Sequence, residues 1–281
     1  MESYPFSSTP EEPSEPRITP AVILDFACKR LGLTTLDIAL PPTLLATFQT
    51  GPLAALQELT AAKRFSIVER YPRLEEGIAG TGKILGGMTP GGRSVGVGLL
   101  PIGAPAAVLY LELTIARGVR NVFVCGSAGS LQPHIPIGSV VVVTGAERED
   151  GTSHHYLPAG DVVGADAAMI RALVEASHSI GIEAASGRSW TIDAVFRETS
   201  AAIARHQEKG IAVVDMEAAA IFALAQVRGV RAGVVVAVSD EVHLPWNPGF
   251  DMPSFREAQR RIAEIVVGAA DRLADQGMTP S

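Results

Sequence analysis

Apolar side chains recur at helical spacing near the start of this chain. Residues 20–32 place them on one face and end at Gly32, which predicts a helix closed by a glycine. Residues 41–63 carry further apolar stretches that are interrupted near Gly51-Pro52, and this pattern predicts one or two more short helices. The first part of the chain is therefore expected to be helical.

From residue 64 onwards, short apolar runs typical of strands alternate with longer segments of helical periodicity. The turn residues Pro90-Gly91-Gly92 predict a hairpin over residues 84–100. The other predicted strands cover residues 66–70, 121–126, 137–150, 188–195, 210–216 and 231–240, and the predicted helices cover 103–118, 165–180, 198–208, 217–230 and 253–277. This alternation predicts one α/β domain whose sheet is covered by helices on both faces.

The same patterns divide the chain into three segments. Residues 1–19 are rich in Pro, Ser and Glu and are expected to form a disordered or loosely packed lead. Residues 20–63 are expected to form a helical N-terminal extension, and residues 64–281 the α/β domain. The first residues carry no apolar core of the kind that a secretory signal peptide requires, so no such peptide is expected.

The composition narrows the classes of function. Hydrophobic residues make up 47% of the chain, enough for a substantial core. The net charge of −7 and the lack of a Lys/Arg run argue against a nucleic-acid partner. No stretch of about 18 apolar residues occurs, so no membrane span is expected. Cys28 and Cys125 form no Cys-x-x-Cys pair, which argues against a metal site and favours the cytoplasm.

A segment of small residues follows the predicted strand at 121–126. Gly126 and Gly129 allow a ligand oxygen to approach backbone N–H groups, and Ser127 adds a hydroxyl. A tight turn without a ligand is the competing interpretation, because small residues often end strands.

Two acidic residues each stand at the C-terminal end of a predicted buried strand, where open α/β sheets place their ligands. The carboxylate of Glu217 could accept hydrogen bonds from both hydroxyls of a ribose. Asp240, in a partly buried pocket, could donate a proton to a departing base. The alternatives are structural, with Glu217 as an acid at a helix N-terminus and Asp240 as an N-cap.

Several motifs agree in order and spacing with one enzyme family. The segments GSAG-SLQPHIPIGSVVVV, DMEAAAIFALA and VSD resemble those of the nucleoside phosphorylase-I superfamily, over roughly residues 94–270. That superfamily includes purine nucleoside phosphorylases, uridine phosphorylases and methylthioadenosine/S-adenosylhomocysteine nucleosidases. The resemblance implies an α/β fold, a single domain with a mixed central β-sheet flanked by helices on both faces. It also implies a homo-oligomer, either a dimer or a hexamer.

The resemblance assigns roles to individual residues. It implies that Glu217 and Met216 hold the ribose and that Asp240 protonates the departing base. The remaining positions are substrate-binding residues near the nucleophile, at the nucleobase and in a glycine turn, namely Gly126, Ser127, Gly129, Val195, Phe196, Arg197 and Gly103. No metal and no cofactor is implied, and inorganic phosphate enters as a co-substrate.

The arginines that phosphorylases of this superfamily use to bind phosphate are missing. No Gly-Asp-Pro-x-Arg loop is found, and Val124 stands where an arginine precedes the GSAG-type turn. Phosphorolysis of a nucleoside with a purine-type base is the favoured function, and hydrolysis by water is the alternative. A non-catalytic nucleoside-binding protein is a third interpretation. The replacement charge for phosphate could come from Arg93, Arg197, Arg256 or Lys83.

Other polar residues receive structural interpretations. Glu147, Glu149 and Asp150 are expected to form a solvated loop edge, with Arg148 offsetting their charge. The histidines show no metal-ligand spacing and are expected to be surface or hydrogen-bonding residues.

Overall fold

One large mixed β-sheet with helices on both faces forms the body of the computed structural model, which describes residues 16–70, 84–243 and 245–273. The strands are β1 (Thr43–Thr47), β2 (Lys63–Arg64), β3 (Leu85–Met88), β4 (Ser94–Leu99), β5 (Asn121–Ser130), β6 (Val140–Glu149), β7 (Val162–Gly164), β8 (Ala185–Ile192), β9 (Val213–Asp215), β10 (Arg231–Glu241) and β11 (Asn247–Pro248). The helices are α1 (Pro20–Leu31), α2 (Thr50–Thr60), α3 (Ser66–Arg70), α4 (Ala104–Ala116), α5 (Ala167–Ser179), α6 (Ser200–Glu208), α7 (Ala218–Arg228) and α8 (Pro253–Arg272).

The sheet closes on itself at one end. Strand β10 pairs with both β5 and β6, and the circuit returns through β8 and β9 to β5. Strands β1, β4, β3 and β2 extend outwards from β5. The neighbours β4, β1, β5 and β10 are parallel, whereas β6 runs antiparallel to β10 and β9 antiparallel to β5. The expected mixed sheet is confirmed.

Alternating side chains of the central strands fill two separate cores. In β5, Val122 and Val124 join the core beneath α4 and α7, whereas Phe123 and Cys125 join the core beneath α2, α5 and α8. This is the two-residue periodicity of a strand that is buried on both faces. Helices cover both faces of the sheet, as expected.

The predicted helical extension over residues 20–63 is confirmed for α1 and α2 but wrong for Thr43–Thr47, which form β1. Helix α1 is present and ends at Gly32, whose φ of 68° is left-handed. Strand β1, however, lies between β4 and β5 in the centre of the sheet. Its apolar run is buried on both faces, and periodicity alone cannot distinguish such a strand from a buried helix. The sheet therefore starts before residue 64, and Gly51-Pro52 lies in the first turn of α2 instead of breaking a helix.

The strand predicted at residues 66–70 is also wrong. This segment forms the short helix α3, and the strand β2 directly before it pairs with β3. The predicted hairpin over residues 84–100 is confirmed as the antiparallel pair β3–β4. Most of the predicted N-terminal lead, together with Lys83 and the end of the last predicted helix, falls outside the described residues. No described helix has the length and apolar character that crossing a bilayer requires.

Candidate active site

The turn between β9 and α7 fixes the position of Glu217. Oδ1 of the buried Asp215 accepts hydrogen bonds from the Thr191 hydroxyl at 2.7 Å and from the backbone N–H groups of Glu217 and Ala218 at 3.2 Å each. Asp215 thus caps the first turn of α7, where a helix dipole favours a negative charge. The side chain of Glu217 is left free of capping and is buried.

Burial and the neighbouring charge of Asp215 raise the pKa of Glu217 to about 7. One of its oxygens, Oε1, accepts a hydrogen bond of 2.6 Å from the backbone N–H of Gly103. Gly103 has a φ of 98°, which strongly favours glycine at this turn before α4. The structure therefore brings together two of the residues that the sequence analysis selected.

Asp240 stands at a β-bulge near the end of β10, where the pairing with β5 shifts between Val238 and Asp240. The hydroxyl of Ser239 donates to Oδ1 of Asp240 at 2.7 Å, and the indole Nε1–H of Trp246 donates to Oδ2 at 2.8 Å. Each oxygen keeps a further lone pair for a base or a shared proton. Trp246 therefore orients this carboxyl group, a role that sequence reasoning had not assigned to it.

Gly129 of β5 connects the two acidic positions. It pairs with Asp240 of β10 on one side and with Val214 of β9 on the other. An added Cβ at Gly129 would lie 2.7 Å from Cγ1 of Val242 and 3.1 Å from Cγ1 of Val214. The glycine thus allows the strands that deliver Glu217 and Asp240 to close around one residue of β5.

Ser127 lies two residues before Gly129 on β5, beside the end of β1. The Gln49 amide donates to its hydroxyl at 2.6 Å and accepts a hydrogen bond of 3.1 Å from the Gln259 amide of α8. The neighbouring Gly126 packs under Phe48, since an added Cβ would lie 3.2 Å from the ring. Sequence reasoning missed Gln49 and Gln259, although Gln49 follows the end of a central strand.

The segment after β8 is placed at the surface. Val195, Phe196 and Arg197 form a short 3₁₀ turn, and Phe196 is 97% exposed. Their role at the nucleobase stays a prediction. Met216 is half-buried beside Glu217.

Glu198 follows this turn and lies close enough to Asp240 to sense its charge. Burial first, and the Asp240 charge second, raise the pKa of Glu198 to about 7. Two carboxyl groups thus lie near each other at the end of β10, and that of Glu198 is readily protonated at neutral pH.

The expected solvated loop edge after β6 is wrong, because Glu147, Arg148 and Asp150 are buried. Successive residues of a strand point to opposite faces. Arg148 therefore points one way, where its guanidinium donates to backbone carbonyls of the following loop, those of Ser153, Leu157, Pro158 and Gly160. Glu147 and Glu149 point the other way, towards α6.

A buried ionic cluster occupies that second face. His206 of α6 lies between two carboxylates, with Nδ1 at 2.9 Å from Glu147 and Nε2 at 3.3 Å from Glu149. Its ring stacks on Trp190 at 4.2 Å. The hydrogen bond from His206 lowers the pKa of Glu149 to about 2, against the opposing effect of burial. The cluster joins α6 to the sheet and so anchors the segment that carries Glu198. Within the described residues, no group of three or more His, Cys, Asp or Glu side chains could hold a metal ion.

Comparison with known proteins gives concordant results. The family model described as the phosphorylase superfamily matches residues 51–271. A uridine phosphorylase of Salmonella typhimurium is 30% identical over 196 residues, which is 65% of this chain and 77% of the relative. A guanosine phosphorylase of Halorubrum lacusprofundi is 33% identical over 137 residues, covering 49% of this chain and 57% of that protein.

A solved structure supports the fold. The purine nucleoside phosphorylase of Toxoplasma gondii in complex with immucillin-H superposes with a TM-score of 0.70 at 21% identity, covering 86% of this chain and 94% of that one. At this identity the likeness concerns the fold alone.

Proposed function

This chain belongs to the phosphorylase superfamily, and from that membership we propose that it cleaves the N-glycosidic bond of a nucleoside by phosphorolysis. The products would be the free base and ribose 1-phosphate. The observation that supports the proposal is the convergence of β9 and β10 on Gly129, which brings the strand ends that carry Glu217 and Asp240 to the same residue of β5.

On the sugar side, Glu217 would accept hydrogen bonds from the 2′- and 3′-hydroxyls of the ribose. The oxygen Oε1 is already fixed by the backbone N–H of Gly103. Its ionised form would also stabilise the positive charge that develops on the ribose as the bond to the base breaks. Met216, directly before Glu217 in the chain, would pack against the sugar.

On the base side, Asp240 and Glu198 would share the proton that the departing base needs. Ser239 and Trp246 hold Asp240 in place, and the Asp240 charge favours the protonated form of Glu198. A carboxylic acid suits a purine, whose ring N7 can accept a proton. We therefore favour a purine-type base over uracil, although the relatives include phosphorylases of both kinds.

The nucleophile would lie beside Gly126 and Ser127. Phosphate is favoured because the matching relatives are phosphorylases. The observation that favours water is the turn after β1, where Phe48, Gln49 and Thr50 supply no cation, together with Val124 on β5. Nucleoside hydrolysis is thus the second candidate function.

A nucleoside panel distinguishes these functions. Inosine, guanosine, adenosine and uridine are incubated with the protein, with and without inorganic phosphate, and free base is quantified by chromatography. We expect phosphate-dependent release, faster from the purine nucleosides. Equal release without phosphate would establish a hydrolase instead, and no release from any nucleoside would leave only a nucleoside-binding role.

The pH dependence of kcat/KM tests the two carboxyl groups with pKa values near 7. Glu217 must be ionised to accept the ribose hydroxyls, so activity should fall as the pH drops below about 7. Glu198 must be protonated to supply a proton, so activity should also fall as the pH rises above about 7. The wild-type profile is therefore expected to be a narrow bell.

The variant Glu198→Gln is expected to lose the alkaline limb of this bell and to keep the acid limb. Because an amide cannot donate an acid proton, the maximum should also fall about 10²-fold, a usual size for one general acid. An unchanged alkaline limb in this variant would remove Glu198 from the reaction.

A further inference from the structure

A cleft of about 780 Å³ opens between the turn after β1 and helix α8. Gln49, Thr50 and Glu58 line one wall, and Arg256, Gln259 and Arg260 line the other. The cleft is linked to the candidate site through Gln49, whose amide hydrogen bonds to the Ser127 hydroxyl on β5. It therefore lies next to the position where the nucleophile is expected.

The donors in this cleft suit an anion. The amides of Gln49 and Gln259 form a chain that ends at Ser127. The first backbone N–H groups of α2, at Thr50 and Gly51, have no acceptor within their own helix and lie in the cleft wall. Neutral donors alone bind a dianion weakly, so a cation is needed as well.

The two guanidinium groups of the cleft differ in how closely each is already paired with carboxylates. Arg260 is paired with Glu58 at 3.3 Å and with Glu264 at 3.4 Å. Arg256 is 67% exposed, and its carboxylate partner Asp251 lies 3.7 Å away and is fully exposed. An exposed pair of this kind contributes little and exchanges readily with a better anion. Arg256 is thus the cation of the cleft that can turn to a ligand.

We propose that Arg256 binds the inorganic phosphate co-substrate in this cleft, with the Gln49 amide and the start of α2 as neutral donors. The inference rests on the proposed function and names the source of the charge that the missing arginines would otherwise supply. Among the other candidates, Arg197 lies on the exposed turn after β8, and Arg93 lies in the β3–β4 hairpin beside Thr89.

The test measures phosphate binding without any nucleoside. Inorganic phosphate is titrated calorimetrically into the wild-type protein, Arg256→Gln and the control Arg261→Gln. Arg261 stands on the same helix but outside the cleft lining, where it pairs with Glu257 and Glu264. We expect Arg256→Gln to raise the phosphate Kd at least about tenfold, the loss of one charge-assisted contact, and the control to leave it unchanged.

Steady-state kinetics separate this inference from the proposed function. In Arg256→Gln the KM for phosphate should rise while the KM for the nucleoside stays the same, and Arg256→Lys should recover part of the loss. Unchanged phosphate Kd and KM, with base release still phosphate-dependent, would overturn the role of Arg256 and leave the phosphorylase intact. Phosphate binding that weakens in the variant, with base release independent of phosphate, would sustain the anion site and overturn phosphorolysis. A wild-type protein that binds no phosphate would refute the site.

Discussion

Replacing Glu217 with glutamine is expected to lower kcat/KM for the nucleoside by about 10²–10³-fold, the usual loss when one preorganised electrostatic group is removed. The amide keeps one oxygen for the Gly103 N–H, so the turn before α4 should be preserved. It cannot accept both ribose hydroxyls as a carboxylate does, and it carries no charge to stabilise the sugar cation.

Unlike the activity, the folding stability of Glu217→Gln is not expected to fall below that of the wild type. Since the folded-state pKa of Glu217 is raised to about 7, ionisation of this group opposes folding, and its cost grows as the pH rises from about 4 through 7. Glu217→Gln avoids this cost, so it should be at least as stable as the wild type at pH 8 and similar to it at pH 4. Thermal unfolding at the two pH values measures this.

A surface variant provides the control for Glu217→Gln. Glu183 has a side chain that is 94% exposed, so Glu183→Gln should leave both kcat/KM and stability unchanged. A Glu217→Gln enzyme that is folded and turns over at the wild-type rate would show that this acid does not hold the sugar.

The positions of Glu217 and Asp240 at the ends of strands could be predicted from local patterns, whereas Gly103 followed only from the family resemblance. An apolar run predicts a strand, and a polar residue at its C-terminal end is a candidate for ligand binding. The pairing register then determines how close two such residues come. Here that register converges on Gly129, whose missing side chain could be noted in the sequence but whose two neighbours could not.

Contacts between segments that are far apart in the sequence cannot be predicted from local patterns. Gln49 meets Ser127 across 78 positions and Gln259 across 210. Glu147 and Glu149 look like part of a charged loop because Arg148 and Asp150 adjoin them. Because successive residues of β6 point to opposite faces, Glu147 and Glu149 share one face, where His206 of α6 lies between them. The central strand β1 was not predicted because a fully buried strand lacks the alternation of apolar and polar residues that marks a strand in sequence.

The variant His206→Ala is expected to be destabilised by about 3 kcal/mol, the lower end of the range for truncating a large, fully buried ring. Its removal leaves Glu147 and Glu149 buried or half-buried without their shared partner and opens a void against Trp190. We expect the lower end of this range of stability loss because Lys209 still pairs with Glu147 at 2.9 Å. For a chain of this size the melting temperature should fall by about 6–12 °C.

The chain offers a matched control in a second His–Glu pair. His178 lies 3.6 Å from Glu183, and both side chains are largely exposed, at 53% and 94%. His178→Ala is expected to change stability by less than about 0.5 kcal/mol, as exposed pairs do. Equal losses in the two histidine variants would show that burial of the His206 cluster does not matter.

The pH dependence of the His206→Ala defect identifies its cause. The pKa of Glu149 is lowered to about 2 in the folded protein, so its ionised form stabilises the fold above the ordinary glutamate pKa near 4.5, and that contribution disappears as the pH falls towards 2. The difference in unfolding free energy between wild type and His206→Ala should therefore be full at pH 7 and shrink steadily between about pH 5 and pH 2. A defect of constant size over this range would mean that lost packing against Trp190, and not the pairing of His206 with Glu149, accounts for it.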